Sequence, residues 1–371
     1  MNFRPKLPLA AVAAIVAAFA AACGSPPAEF SGQGGVFDSP VGVTVNGDYA
    51  YIMNANFDLS DEKEGAITVV DIPRSLVNRK DGIVTRVSTP PFIGQMALSA
   101  DRSTGYLANR RKNSVMVVDL SDPALPKILD LDPDRDGDQG IKVGREPYAL
   151  TLSPDDETLY VANLGSGDLS IVDVPTRKLV KNEQLQWGIN DIRIPPGGRY
   201  AYITNRGLQS VVLFDTVTNR INTALETGSR RTGIGVDTRG IDFTPDGLWA
   251  FIAARQPEAL LVVDTSKLPT HPEDAIVDLL PLDLKPTAVR VTPDGGEVWV
   301  SNFSANNIYI FDTRSRAILD VITVGGGPSD IAFTEENPRD PGHYYALVTN
   351  FYTHNVSLID ARSKEYIWVI P

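Results

Sequence analysis

The chain has 371 residues, 43% of them hydrophobic, a single cysteine and a formal net charge of −12 at neutral pH. This composition can supply a sizeable buried core and argues against disorder over most of the chain. Its acidic balance repels phosphate backbones, so nucleic-acid binding is not expected, and a lone cysteine excludes an intramolecular disulfide.

The first 22 residues form a predicted signal peptide. Arg4 and Lys6 precede an alanine-rich apolar run from Leu9 to Ala22, and this run is shorter than the roughly 20 residues of a membrane-spanning helix. We therefore predict cleavage before Cys23. Loss of residues 1–22 removes two bases and no acid, which leaves the mature chain still more negative.

The residues around Cys23 resemble a bacterial lipobox, in which the cysteine becomes the lipid-modified first residue. The stretch Ala20-Ala21-Ala22-Cys23-Gly24 carries the resemblance, although leucine is usual at the position of Ala20. An ordinary signal peptide, cut nearby and leaving a free thiol, is the alternative. The resemblance implies an exported protein with a lipid anchor in a bacterial membrane, and Gly24 in place of aspartate favours the outer membrane. Residues 23–38 are predicted to be a lipidated flexible tether.

Residues 39–371 contain a repeat with two anchors. Seven short apolar runs end in aspartate, at Asp71, Asp119, Asp173, Asp215, Asp264, Asp312 and Asp360. Seven runs upstream of these end at Asn54, Asn109, Asn163, Asn205, Ala254, Asn302 and Asn350. The aspartates are 42 to 54 residues apart, and a period in this range is typical of propeller blades.

Each repeat is predicted to hold four short antiparallel strands, a to d. Turn sequences such as Thr244-Pro245-Asp246-Gly247 separate strands a and b. The sequence therefore predicts an all-β fold, a seven-bladed β-propeller of four-stranded antiparallel blades spanning residues 39–371. All units are complete, so no strand exchange is needed to close the ring. We interpret the recurrent Asn and Asp residues as turn caps and backbone partners rather than catalytic groups.

The second strand of each unit resembles the motif of the YVTN-repeat family of bacterial seven-bladed propellers. Tyr202-Ile203-Thr204-Asn205 is the nearest match, and Ala254 departs from the motif. The family and its structural relatives include surface-layer proteins, lactonase-like proteins and subunits of quinone-dependent dehydrogenases. The resemblance thus implies a fold, whereas the function has to be argued from a site.

An acidic segment, Asp130–Gly140, is a candidate calcium site. Alternating carboxylates followed by glycine can converge on one hard cation, and the predicted ligands are Asp132, Asp134, Asp136 and Asp138. Val143 stands where a bidentate glutamate would complete the twelve-residue pattern, so a solvated acidic loop is the alternative. We place this segment in a connection between two blades, residues 132–146.

The b–c and d–a loops of a propeller share one face, termed here the upper face, and the a–b and c–d loops share the lower face. Six charged residues near the starts of innermost strands are predicted to line the upper channel mouth: Arg145, Glu146, Asp191, Arg239, Lys285 and Asp330. Such residues could bind a polar ligand or a protein loop, or could neutralise one another. Phe303, Phe351 and Tyr352 are predicted on the same face, where aromatic tips favour protein recognition.

No catalytic motif accompanies the repeat, and the three histidines fall in different loops. We predict a non-enzymatic, lipid-anchored scaffold of the cell envelope, whose partner is an envelope protein or a surface polymer. One alternative is a lactonase-like hydrolase that uses Arg239 and Glu146. Another is an accessory subunit of a periplasmic dehydrogenase. Calcium is the one cofactor predicted.

Overall fold

The computed structural model describes residues 37–56, 64–78, 81–132, 140–185, 187–206, 210–226, 236–268, 270–336 and 340–371. Within these ranges, consecutive strands form seven antiparallel sheets arranged as the blades of a ring. The predicted seven-bladed β-propeller is confirmed.

The first four blades follow one another along the chain. Blade 1 contains β1 (Pro40–Asn46), β2 (Tyr49–Asn54), β3 (Gly65–Asp71) and β4 (Ile83–Thr89). Blade 2 contains β5 (Ile93–Leu98), β6 (Thr104–Asn109), β7 (Ser114–Asp119), β8 (Lys127–Leu129) and β9 (Ile141–Lys142). Blade 3 contains β10 (Pro147–Leu152), β11 (Thr158–Asn163), β12 (Asp168–Asp173) and β13 (Lys178–Gln184). Blade 4 contains β14 (Ile189–Arg193), β15 (Tyr200–Asn205), β16 (Ser210–Asp215) and β17 (Arg220–Glu226).

The remaining three blades complete the ring. Blade 5 contains β18 (Val236–Phe243), β19 (Trp249–Gln256), β20 (Glu258–Asp264) and β21 (Ile276–Pro281). Blade 6 contains β22 (Pro286–Val291), β23 (Glu297–Asn302), β24 (Asn307–Asp312) and β25 (Ile318–Thr323). Blade 7 contains β26 (Pro328–Phe333), β27 (Tyr345–Asn350), β28 (Asn355–Asp360) and β29 (Tyr366–Ile370).

Helical segments are short. Helix α1 (Ile72–Val77) follows β3, with Asp71 accepting the backbone N–H of Arg74 at its start. Two 3₁₀ turns, Thr265–Lys267 and Pro272–Asp274, precede β21. Among the described residues, no helix is both long enough and apolar enough to cross a membrane.

The first strands of neighbouring blades contact one another around the ring, so these strands line the channel. Strands follow in chain order from the channel outward, and none of the strands in the described ranges is exchanged between blades, as predicted. Blade 1 closes the ring by packing Val43 and Ile52 against Leu347 and Leu358 of blade 7. Phe37, which is 2% exposed, is buried in the same cluster and seals this seam.

The core consists of apolar layers between blades. Alternate residues of a strand point to opposite faces of its sheet, so a central strand contributes to the layers on both of its sides. On β2, Tyr51 packs toward blade 2 and Ile52 packs toward blade 7. The other seams hold equivalent clusters. Close packing at each seam fixes the innermost strands and hence the shape of the channel.

The recurrent asparagines connect neighbouring strands within their own blade. The side-chain amide of Asn163 donates to Asp168 Oδ1 and to Ser170 Oγ, each at 2.8 Å, and the amide of Asn350 donates to the matching groups of blade 7. In blade 5 the corresponding residues are Ala254, Ala259 and Leu261, all buried. Ala254 departs from the repeat motif because blade 5 replaces all three hydrogen-bonding residues by apolar ones.

The recurrent aspartates, each at the end of a third strand, accept hydrogen bonds from the turn that follows. Asp312 accepts hydrogen bonds from the backbone N–H groups of Ser315 and Arg314 and from the Ser315 hydroxyl. These donors, the Ser315 backbone first, lower the pKa of Asp312. The contacts agree with the structural interpretation of the repeat.

The outermost strand of blade 2 is split. Both β8 and β9 pair with β7, and the acidic segment lies between them. Our placement of residues 132–146 in one loop between two blades was therefore wrong. The strand resumes at Ile141 because this residue packs into the apolar layer between blades 2 and 3.

Candidate functional site

The residue that directly follows each second-strand motif sits at the inner rim of the upper face. In blade 5 this residue, Arg255, still belongs to β19. In the other six blades its backbone N–H donates to the carbonyl just before the innermost strand of the same blade, as in Arg110 to Phe92 (3.1 Å), Arg206 to Gly188 (2.7 Å) and Phe303 to Lys285 (3.0 Å). In chain order these residues are Ala55, Arg110, Leu164, Arg206, Arg255, Phe303 and Phe351. The same position in the repeat thus presents arginine in blades 2, 4 and 5 and phenylalanine in blades 6 and 7.

Four arginines converge at this rim and are termed here the arginine cluster: Arg110, Arg206, Arg239 and Arg255. Neutral acceptors orient two of them. Arg206 donates Nε–H to Asn190 Oδ1 at 2.6 Å, and Arg255 donates to the Pro286 carbonyl and the Thr287 hydroxyl at 2.9 and 2.6 Å. These bonds fix the guanidinium groups through neutral partners, so they do not compensate the charge of either arginine.

The two other members of the arginine cluster have acidic partners. Arg239 Nη2 donates to Asp237 Oδ2 at 2.9 Å, and Arg110 Nη2 donates to Glu146 Oε2 at 3.2 Å. The ring of Tyr148 lies 5.6 Å from the Arg110 Cζ and 5.8 Å from the Arg206 Cζ, within the range of cation–π attraction. The four guanidinium groups thus face two described carboxylates.

Burial and mutual repulsion act on the arginine cluster. Burial, followed by the charge of Arg239, lowers the pKa of Arg206 to about 10. The pKa of Arg255 is lowered to about 10 by the same two causes. An anion bound at the upper mouth would offset both effects on the pKa, because it would stabilise positive charges that the protein has partly removed from water.

An aromatic cluster continues the same rim on blades 6 and 7. Phe303, Phe351 and Tyr352 have ring centroids 5.1 to 6.0 Å apart, and Tyr352 is 63% exposed. Gly327 has a positive φ, and a Cβ there would lie 2.8 Å from the Tyr352 ring. Glycine is therefore required for the tyrosine to rest on the backbone at this point.

The structure distributes the six predicted mouth residues over four places. Arg145 and Glu146 lie with Phe92 and Arg110 around an open recess of about 420 Å³ between blades 2 and 3. Arg239 belongs to the arginine cluster, and Lys285 is exposed at the rim of blade 6.

Asp191 and Asp330 lie deeper, buried among the innermost strands. Asp330 accepts hydrogen bonds from Arg290 at 2.7 Å and from the backbone N–H of Val43, across the seam between blades 7 and 1. Asp191 accepts from the backbone N–H groups of Ile192 and Ile241. These two carboxylates therefore connect neighbouring blades and do not form the outer mouth.

The calcium site stays a prediction. Asp134, Asp136 and Asp138 lie outside the described residues, as does Cys23. Asp132 is described, and its backbone N–H donates to Asp130 Oδ1 at 3.1 Å. Among the described residues, no three His, Cys, Asp or Glu side chains are arranged to hold a metal ion.

Comparison with known proteins supports the fold. The LVIVD repeat matches residues 106–129. The chain is a propeller-repeat protein. No curated protein matches its sequence, and the more specific YVTN assignment stays a prediction.

Solved structures resemble the chain over most of its length. Hydrazine synthase of Kuenenia stuttgartiensis gives a TM-score of 0.69 at 17% identity, covering 91% of this chain and 99% of that chain. A functionally unknown protein from Desulfotomaculum acetoxidans gives 0.61 at 14% identity, covering 90% and 95%. Virginiamycin B lyase from Staphylococcus aureus gives 0.61 at 12% identity, covering 86% and 93%. At these identities the likeness extends to the fold alone.

Sequence reasoning missed Arg110, Arg206 and Arg255. A signal for them was present, since each directly follows the last residue of a second-strand motif. Comparing that one position across all repeats would have found the arginine cluster and the phenylalanines together.

Proposed function

We propose that this protein is an exported, lipid-anchored scaffold of the cell envelope that uses its upper face to bind an acidic segment of another protein. The observation that carries the proposal is the arginine cluster, in which the described residues bring four guanidinium groups together with two carboxylates in a chain of net charge −12. A carboxylate-bearing segment would complete this arrangement.

The aromatic cluster favours a protein partner over a bare polyanion. Arg255 reaches Pro286 and Thr287, and the carbonyl of neighbouring Lys285 accepts the backbone N–H of Phe303. The cationic and aromatic parts of the rim are therefore continuous. Buried aromatic anchors next to oriented arginines are the combination that dominates protein interfaces.

The proposed anchor is the lipidated Cys23, and the outer membrane is the proposed location. The described chain begins beside the upper face, where the backbone N–H of Ser39 donates to His354 Nδ1 and that of Asp38 to Asn54 Oδ1. The tether thus joins the propeller on the side of the arginine cluster, which favours a partner near the membrane surface. Cys23→Ser should move the protein from the membrane fraction to the soluble envelope fraction.

Calcium is proposed as a stabilising ion of the acidic segment. Added calcium should raise the melting temperature of the purified protein, and Asp134→Ala with Asp136→Ala should abolish that increase. A wild-type melting temperature that does not respond to calcium would remove this part of the proposal.

Crosslinking of the lipidated protein in native envelopes tests the partner. We expect one recurrent acidic envelope protein in the wild type, its loss in Arg206→Gln/Arg255→Gln, and its retention in the matched control Arg86→Gln/Arg220→Gln, which removes two exposed charges from outermost strands. A partner retained by the cluster variant would contradict the proposal. Crosslinking to a surface polymer or an anionic lipid instead of a protein would contradict the proposed class of partner.

A further inference from the structure

The innermost strands carry residues of unequal length at one level of the channel. The level is defined by pairing with the bulky residue of the second strand: Thr44 with Tyr51, Ala97 with Tyr106, Thr151 with Tyr160, Arg193 with Tyr202, Asp242 with Phe251, Arg290 with Trp299 and Ala332 with Leu347. Blades 7, 1, 2 and 3 thus contribute short side chains, whereas blades 4, 5 and 6 contribute charged ones.

The short side chains leave a cavity on one side of the channel. The cavity has a volume of about 550 Å³ and reaches the a–b turns of the lower face, at Ser99 and Ser153. Thr44, Ala97 and Thr151 form part of its wall. A cavity of this size lies within the range of small-molecule sites.

The charged side chains on the inner wall of the cavity are partnered within the protein. Arg290 donates to Asp330 Oδ1 at 2.7 Å, and Asp330 Oδ2 accepts the backbone N–H of Val43. Arg193 Nε lies 4.0 Å from Asp191 Oδ1. The inner wall thus contains arginines whose charges are already opposed by neighbouring aspartates.

The two charged side chains at the lower mouth of the cavity are also partnered. Arg102 forms an ion pair with Glu335, and the half-buried Asp156 accepts the backbone N–H of Ala100. With these two, all five charged residues that line the cavity have a partner among the described residues. A charged ligand would lose its hydration without gaining an unopposed counter-charge. The lining therefore favours a neutral ligand.

Hydrogen-bonding groups on the same wall have no partner in the described part of the chain. The half-buried side chains of Gln95 and Thr151 line the cavity and make no hydrogen bond there. The Arg193 side chain is 31% exposed, and its guanidinium group likewise makes no hydrogen bond to a described residue. By contrast, the Thr44 hydroxyl donates to the Met96 carbonyl at 3.1 Å.

These three side chains select the chemistry of the ligand. The guanidinium group of Arg193 only donates, whereas the Gln95 amide and the Thr151 hydroxyl both donate and accept. A hydroxyl group is neutral and can serve as the partner of either kind. Because the three residues belong to the innermost strands of blades 2, 3 and 4, a ligand that contacts all of them needs several hydroxyl groups.

We propose that the channel cavity binds a small neutral molecule rich in hydroxyl groups, of the monosaccharide class, through Gln95, Thr151 and Arg193. The ring of such a molecule carries hydroxyl groups around its edge, so that it can meet side chains from neighbouring blades. It leaves the pairing of the channel charges unchanged.

The site is separate from the arginine cluster in its residues and in its ligand. Gln95, Thr151 and Arg193 belong to the channel wall, whereas the residues proposed to bind an acidic segment lie on the upper rim. The two proposals can therefore fail independently, and each has its own variants.

Isothermal titration calorimetry on the full chain tests the proposal. The probes are D-glucose, D-galactose and D-mannose, together with the amino sugar and the uronic acid of each, which carry one charge. Cyclohexanol keeps a six-membered ring but has a single hydroxyl group. We expect at least one of the three sugars to bind, and to bind more tightly than its two charged derivatives and cyclohexanol.

Neutral variants of the wall identify the site without breaking a channel ion pair. Thr151→Val and Gln95→Met each remove one hydrogen-bonding group at similar volume and should weaken sugar binding about three- to tenfold. Ala97→Leu narrows the cavity and should reduce binding as well. The exposed Arg86→Gln on an outermost strand should bind as the wild type does.

Three results would overturn the proposal. The first is that none of the three sugars binds to the wild-type protein. The second is that the charged derivatives or cyclohexanol bind as tightly as the parent sugar. The third is unchanged sugar binding in Thr151→Val, Gln95→Met and Ala97→Leu, which would place the bound sugar outside the channel cavity.

Discussion

The upper rim and the inner channel hold two clusters of charge that are compensated in opposite ways. In the channel, Arg290 pairs with Asp330, and the carboxylates accept backbone N–H groups from neighbouring blades. On the rim, Arg206 and Arg255 are oriented by an amide oxygen, a carbonyl and a hydroxyl. The same repeat thus builds one cluster that is closed on itself and one that is left open.

This difference separates stability from recognition. A buried pair contributes little net stability when intact, but the loss of one partner leaves an uncompensated charge in the protein interior. Cations held by neutral groups have no such partner to lose, and their charge remains available to a ligand. Variants of the channel should therefore affect folding, and variants of the rim should affect binding.

The largest effect is expected from breaking the channel pair. Arg290→Ala removes the partner of Asp330, and the two side chains are 14% and 5% exposed. The free energy of unfolding should fall by about 3–5 kcal/mol in urea titrations. The exposed pair of Arg362 and Asp340 is the matched control, and Arg362→Ala should cost less than about 1 kcal/mol. Similar losses in both variants would contradict the distinction between the clusters.

Ala254→Asn should be the next most damaging change. It restores the repeat motif one residue before Arg255, yet its amide would face Ala259 and Leu261 with no polar partner. Burying the unpaired amide should cost about 1–3 kcal/mol of unfolding free energy. A stable Ala254→Asn protein would show that blade 5 can admit a polar partner or water.

Arg255→Gln should separate binding from stability. The pKa of Arg255 is lowered to about 10, first by burial and then by Arg239, which means that its charged form is held less favourably in the folded chain than in the unfolded chain. Its charge therefore opposes folding at any pH below that value. The variant should stay within about 1 kcal/mol of wild-type stability, while binding of the acidic partner weakens about tenfold. A large drop in melting temperature would contradict the open character of the rim.

The smallest effect is expected from Asp242→Asn. Burial raises the pKa of Asp242 despite the attraction of Arg290 and Arg193. Because the folded pKa lies above the unfolded one, ionisation of Asp242 costs stability as the pH rises from its ordinary value through the raised one. The variant lacks this cost, so its stability relative to the wild type should improve with rising pH across that window. Parallel pH profiles of unfolding free energy would refute the assignment.

The sequence predicted the blades well because their signals are local. The aspartates cap turns within three residues, as Asp312 does, and the asparagines bond within their own blade, as Asn163 does. The split outermost strand of blade 2 escaped prediction, since two residues of β9 are recognisable only through their pairing with β7.

The candidate sites were harder to predict because they depend on contacts between distant segments. Arg206 meets Tyr148 from another blade, and Asp330 meets Arg290 and Val43 from two others. Position in the repeat places such residues at the rim or in the channel. It does not show which of them are already paired, and that distinction decides their role.

Binding of a defined acidic peptide by the purified, lipidated protein tests the central claim most directly. The probe is a fluorescently labelled peptide of alternating glutamate and leucine, with a lysine–leucine peptide as its counterpart, followed by fluorescence anisotropy at increasing salt concentration. The account predicts binding of the glutamate peptide alone, weakening with salt, lost in Arg206→Gln/Arg255→Gln and kept in Arg86→Gln/Arg220→Gln. Equal binding of both peptides, or unchanged affinity in the cluster variant, would contradict it.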